Sequence, residues 1–218
     1  MVRNRLQFIG LAALILLVVP FAIYAINFGQ GGLRDALPKP HYIRSSDTTA
    51  NGAIFTHMIL GGLITTMIPL QLIGVIRTRV PVFHRWSGRI ITIGAAITAL
   101  GGLIYIGLRG TIGGLPMDVG FTLYGILMLT AALQTIRHAR RGQINAHHAW
   151  ALRLFWLVLG SWLYRVHYGL WYAATGGAWS NPDFSGPFDL VQNFAFYVPY
   201  LIGVEIYLAR KRYRVAVS

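Results

Sequence analysis

The chain has 218 residues and not one cysteine. That single absence excludes disulfides, thiolate nucleophiles, iron–sulfur clusters and cysteine-ligated metals together. Any redox or metal chemistry must use histidine, methionine or carboxylate. Charge is scarce too: charged residues are only 11% of the chain, and just six residues are acidic. Hydrolytic and phosphate-binding signatures are missing as well. There is no Gly-x-Ser-x-Gly elbow, no His-Glu-x-x-His, no Gly-Lys-Ser/Thr loop and no dinucleotide fingerprint in a strand–helix context. The glycines of Gly110–Gly114 belong to a turn between helices. No residue is assigned a catalytic role.

What is present is apolar. A mean hydropathy of +0.55 is the composition of a chain whose solvent is mostly lipid. A spanning helix needs about 20 apolar residues. Stretches of that order lie near 8–27, 53–76, 90–108, 119–136, 149–174 and 190–209. The runs are continuous rather than alternating, so helices are expected and not a barrel. The fold class is therefore all-α: a single polytopic membrane bundle of about six transmembrane helices. The first stretch is long for a signal-peptide core, and Ala22–Ala25 makes a weak cleavage site, so it is read as a retained spanning helix.

The net charge of +13 invites a nucleic-acid reading, which its distribution removes. Arg3 and Arg5 precede the first stretch; Arg77, Arg79, Arg85 and Arg89 flank the second connection. Arg137, Arg140 and Arg141 lie in the fourth connection, and Arg210, Lys211, Arg212 and Arg214 close the chain. The alternate connections hold only Arg34, Lys39, Arg44 and Arg109, and every aspartate (Asp35, Asp47, Asp118, Asp183, Asp189) falls in or beside them. This is the positive-inside pattern, with both termini cytoplasmic. Membrane lipid is the expected partner of the basic faces, not nucleic acid. Punctuation by Gly29, Gly31, Gly32, Pro38 and Pro40 marks Phe28–Gly52 as an irregular outer connection.

One signature repeats. His-x-Trp-x-x-Arg occurs at His84, Trp86 and Arg89, and again at His148, Trp150 and Arg153. A weak internal duplication and common interfacial anchoring by Trp and Arg both account for it. Small residues such as Gly61, Gly62, Gly94, Gly101 and Gly102 concentrate in the second and third stretches. They permit close helix approach, or make room for a flat cofactor.

Histidine depth follows from helix rise. His57 lies about 30 Å before Arg77, and His167 about 27 Å after Ala149, on straight helices. These two would lie towards the outer leaflet, with His84, His147 and His148 at the other face. Facing histidines in a helical bundle hold b-type haem without cysteine. The candidate ligands are His57, His84, His147 and His167, with Arg165, Gly61, Trp86 and Trp150 beside the cofactor. Solvated interfacial histidines and an aromatic belt around Tyr164, Tyr168, Trp171 and Tyr172 explain the same residues without one. Arg165, inside an apolar run, needs an anionic partner: a haem propionate, a quinone-like head group, Asp118 or Asp189. Glu205 falls at the depth of Arg153, and an ion pair between them is expected, with proton handling by Glu205 the alternative.

His57, then Pro69-Leu70-Gln71, then His84-Arg85-Trp86-Ser87-Gly88-Arg89 resembles a large bacterial family of multi-helix membrane proteins of unknown function. Its later motif, His-x-x-Trp-x-x-Arg, falls here on His147, Trp150 and Arg153; a further Arg matches Arg165 and a late acid matches Glu205. The resemblance covers most of Ala53–Arg210, prefers His147 over His148, and leaves His167 outside its pattern. It implies a bacterial inner membrane. A more distant similarity is to cytochrome b561-type proteins, in which histidines on four core helices hold two haems. Three functions are carried forward: electron transfer through haem b, with a quinone or another subunit as partner; a cofactor-free accessory subunit of a larger complex; and a small-molecule or ion carrier, for which no pair of interrupted helices is legible.

Overall fold

In the computed structural model the described residues form helices joined by turns and short irregular segments. The structure describes residues 2–34 and 47–217, with side chains for 9–34 and 47–211. Asp35, Pro38, Lys39, Pro40 and Arg44, and the side chains of Arg3, Arg5, Arg212 and Arg214, lie outside the described residues. The helices are α1 (Val2–Leu33), α2 (Thr48–Met67), α3 (Gly74–Arg79), α4 (Pro81–Arg109), α5 (Gly114–Arg140), α6 (Ile144–Thr175), α7 (Pro187–Ala195) and α8 (Val198–Val217). A 3-10 turn, Ile68–Leu72, follows α2. Among the described residues, four helical segments are long and apolar enough to cross a membrane: Ile9–Leu33, Thr48–Leu72, Pro81–Arg109 and Gly114–Arg140. The chain is an all-helical membrane protein.

Proline explains most departures from the expected boundaries. The second stretch does not run straight to Ile76; it tightens into the 3-10 turn at Pro69 and breaks at Ile73, whose ψ of 106° is extended. The rise-based ruler from His57 to Arg77 therefore fails. Pro81 opens α4 nine residues before the expected start, because proline suits the first helical turn, where its missing N–H costs nothing. His84 and Trp86 thus sit inside a helix and not in a loop. The sixth stretch is split: Pro199 cannot donate to the carbonyl of Ala195 and its ring crowds that turn. The helix stops at Ala195 and resumes at Val198. Two of the expected spans are interrupted, which the hydropathy pattern did not reveal.

The chain groups into two compact units, Met1–Arg109 and Gly110–Ser218. In the first, α1 packs on α2 and α2 on α4. Close approach is what the glycines provide there. A Cβ on Gly29 would meet Ile59 Cγ1 and the Phe55 carbonyl at 2.6 Å, and one on Gly62 the Ala22 carbonyl at 3.0 Å. Between α2 and α4, a Cβ on Gly94 would meet Ile64 Cγ2 at 2.7 Å and one on Gly101 the Ala53 carbonyl at 2.8 Å. Small residues at such crossings let dispersion and backbone packing replace the hydrophobic drive that lipid removes. Two buried hydroxyls are satisfied within their own helices, Thr65 donating to the Gly61 carbonyl at 2.6 Å and Thr92 to that of Gly88 at 2.8 Å.

In the second unit α5 packs on α6 and α7, and α8 on α6. Gly160 leaves the space taken by the Tyr124 ring, whose hydroxyl donates to the Leu157 carbonyl. Phe196 and Tyr197, at the break between α7 and α8, are both 1% exposed. Their rings pack with Tyr124 at 4.9 and 5.4 Å. Asp189 fixes the start of α7: fully buried, it accepts the Gly186 N–H at 3.0 Å, the Asn181 N–H at 3.1 Å, the Tyr168 hydroxyl at 2.6 Å and the Ser180 hydroxyl at 2.7 Å. Four donors around one carboxylate hold the 176–186 segment against α6 and α7.

Candidate functional site

His57, half-buried on α2, turns its Nδ1 to the Thr98 carbonyl of α4 at 2.7 Å. A carbonyl only accepts, so Nδ1 is the donor in this bond. The ring fits because α4 has glycine beneath it. A Cβ on Gly102 would lie 3.2 Å from His57 Nδ1, and one on Gly101 3.3 Å from His57 Cβ. Gly61, expected to face a flat cofactor, has Thr98 Cγ2 3.6 Å from where its Cβ would be.

His147 repeats the device in the second unit. Its Nδ1 lies 3.0 Å from the Thr135 carbonyl of α5, which again makes Nδ1 the donor. His148 is one residue further, about 100° round the helix, so this anchor belongs to His147 alone.

The other two histidines differ. His84 lies in the second turn of α4, beside Ser87, whose hydroxyl donates to the Phe83 carbonyl at 2.6 Å. Ser87 accepts from Gln71 Nε2 at 2.7 Å, and Gly88 leaves room for the Gln71 amide 3.3 Å from its Cβ position. Pro69-Leu70-Gln71 and His84–Arg89 are thus joined physically. His167 is held at both ring nitrogens, Nδ1 by the Gln192 amide at 3.2 Å and Nε2 by the Tyr200 hydroxyl at 2.8 Å. Both ring nitrogens are thus engaged by side chains of the same unit.

No two of these histidines come together inside one unit. His57 abuts Gly101, more than four turns of α4 from His84, roughly 25 Å along the axis. His147 and His167 stand on α6 about 30 Å apart. Among the described residues no group of three or more His, Asp or Glu side chains is arranged to hold a metal ion.

The repeated Trp–Arg spacing is reproduced in three dimensions. The Arg89 guanidinium lies 4.9 Å from the Trp86 ring and that of Arg153 lies 4.6 Å from Trp150, as residues three apart on a helix allow. One face of each tryptophan is thereby covered by its own arginine. Arg153 also pairs with Glu205 through two bonds, Nε to Oε1 at 2.6 Å and Nη2 to Oε2 at 2.8 Å. That ion pair is the one expected from depth. Arg165 is exposed, contrary to its expected burial, and its Nη1 donates to the Ser161 carbonyl one turn back at 2.9 Å. Of its expected partners, Asp118 accepts the Thr111 N–H at 2.6 Å and Asp189 is filled by the four donors above.

Sequence reasoning missed the inward face of α7. Asp189, Gln192 and Asn193 are buried there at 0%, 2% and 0% exposure. A proline at N1 followed by an acid at N3 was the available signal for the helix start.

Comparison with curated proteins and with solved structures returns no match. A family model does match, over residues 54–203. That span holds both histidine anchors, the Gln71–Ser87 junction and the two Trp–Arg pairs; it omits α1 and ends two residues before Glu205. The chain belongs to the family described as predicted membrane protein (DUF2306).

Proposed function

We propose that this is a haem-b-binding electron carrier of a bacterial inner membrane, with both termini cytoplasmic and with His57 and His147 as the ligating histidines. The observation that supports it is the shared anchor of these two imidazoles. Each gives its Nδ1–H to a backbone carbonyl of the neighbouring helix, at 2.7 and 3.0 Å. Outer bonds of this kind fix ring orientation and tautomer in metal-ligating histidines and raise the basicity of the ligating nitrogen. Each anchor lies wholly within one unit, His57 with Thr98 and His147 with Thr135. Bound haem would supply a one-electron couple, which the chain's own side chains, lacking cysteine, do not offer. Gly101 and Gly102 seat the His57 ring, and Thr135 aims that of His147. The asymmetry of arginine along the chain supports the orientation.

Haem content of the purified protein tests this. Wild-type protein from haem-sufficient cells should carry haem, His57→Ala and His147→Ala should each lose at least half of it, and His167→Gln should retain it. Equal retention by all three variants would overturn the ligand assignment.

A further inference from the structure

The corner where α3 meets α4 combines two kinds of exposed side chain that water-facing surfaces keep apart. Arg77, Arg79 and Arg85 are exposed there, and Arg89 is exposed over Trp86. Interleaved with them are exposed apolar residues: Val80 at 51%, Val82 at 57%, Phe83 at 45% and Trp86 at 59%. The sequence from Thr48 to Arg109 contains no Asp or Glu. The ion pairs among the described residues lie elsewhere, at Arg109–Asp47 and Arg153–Glu205. Four cations without an acid on their own stretch of chain, set among aliphatic and aromatic groups, match the boundary between acyl chains and anionic headgroups. Backbone shape contributes. Ile73 and Val80 break the helix on either side of α3, so Arg77 and Arg79 stand on a separate short segment that packs on α4, the helix of Arg85. Guanidinium groups bind phosphate oxygens in pairs, which a lysine point charge does not.

We propose that this corner is a binding site for an anionic phospholipid, with Arg77, Arg79 and Arg85 on the headgroup phosphate and Val82, Phe83 and Trp86 against the upper acyl chains. The arginines at the α5–α6 turn provide the internal comparison. Arg137, Arg140 and Arg141 are equally cationic, but Gly142, Gln143 and Asn145 follow them, and the tryptophan at the start of the next helix, Trp150, is half-buried where Trp86 is exposed.

The test is native mass spectrometry of the delipidated full chain, titrated with phosphatidylglycerol or with phosphatidylcholine of identical acyl chains. Wild-type protein should retain phosphatidylglycerol and not phosphatidylcholine. The triple variant Arg77→Gln/Arg79→Gln/Arg85→Gln should lose about tenfold or more in affinity, since each surface cation contributes on the order of 1 kcal/mol. The triple variant Arg137→Gln/Arg140→Gln/Arg141→Gln should bind as wild type does. Equal losses in both variants would reduce the effect to net charge and overturn the proposal. Displacement of the lipid by millimolar glycerol phosphate would overturn it too, since a soluble phosphate would then be the ligand. Should the first triple variant fail to fold, the single Arg79→Gln and Arg85→Gln variants and Trp86→Ala carry the test: each must weaken phosphatidylglycerol binding, and unchanged binding in all three refutes the site.

Discussion

Arg153 on α6 grips Glu205 on α8 through two parallel hydrogen bonds of 2.6 and 2.8 Å while its guanidinium covers the ring of Trp150. The arginine is 18% exposed and the glutamate 54%, so the pair sits at the edge of a small apolar cluster of Ala149, Val204 and Leu208. The bidentate geometry and the stacked ring raise it above an ordinary surface pair. Glu205→Ala should therefore cost about 1–2 kcal/mol, read as a lowered midpoint of thermal unfolding in detergent. Exchanging the charges, Arg153→Glu with Glu205→Arg, should recover part of it. An unchanged midpoint for Glu205→Ala would show that α8 is held by its apolar contacts alone.

The crossing of α2 and α4 depends on Gly101. A methyl group there would meet the Ala53 carbonyl at 2.8 Å, whereas one at Gly107 would meet nothing within 4 Å. Gly101→Ala should destabilise by about 1–3 kcal/mol through overpacking. Gly107→Ala should be neutral or stabilising by up to about 1 kcal/mol, because alanine is the better helix former. Similar melting shifts in the two variants would mean that α2 and α4 do not approach as closely as described.

Asp189 accepts four hydrogen bonds from groups spread over Tyr168, Ser180, Asn181 and Gly186. Asparagine keeps the shape but replaces one acceptor oxygen by a donor that faces donors. Asp189→Asn should cost about 2–4 kcal/mol, since buried donors lose their partner. It should also open the 176–186 segment to protease. Trp179, held at a positive φ of 62° with its carbonyl accepting the Phe188 N–H at 3.0 Å, should report the release by a change in fluorescence. Protease resistance equal to wild type would contradict the latch.

How far the sequence disclosed these relationships depended on what each one rests on. The Arg153–Glu205 pair was legible because depth along two helices is a one-dimensional quantity, and residues of opposite charge at one depth in lipid seek each other. Close packing at the glycines was legible for a similar reason: a missing Cβ means the same thing whichever neighbour arrives. Arg165 was misjudged because depth says nothing about facing, and the side chain turns outward to bond the carbonyl of Ser161. The surroundings of His167 were not legible because its partners, Gln192 and Tyr200, stand on either side of a helix break that hydropathy does not record. Pro199 was the mark of that break, as Pro69 and Pro81 were of the reshaped second connection. Reading proline against the carbonyl four residues earlier would have found all three.

The central claim is that His57 and His147 are haem-ligating histidines, each within its own unit. The most direct measurement is the dithionite-reduced minus oxidised absorption spectrum of the purified full-length protein, alone and as His57→Ala and His147→Ala. The account predicts a b-type Soret and α-band difference in the wild type that is diminished in each variant and unaltered in His167→Gln. A wild-type protein without a Soret band, purified from haem-sufficient cells, would contradict it.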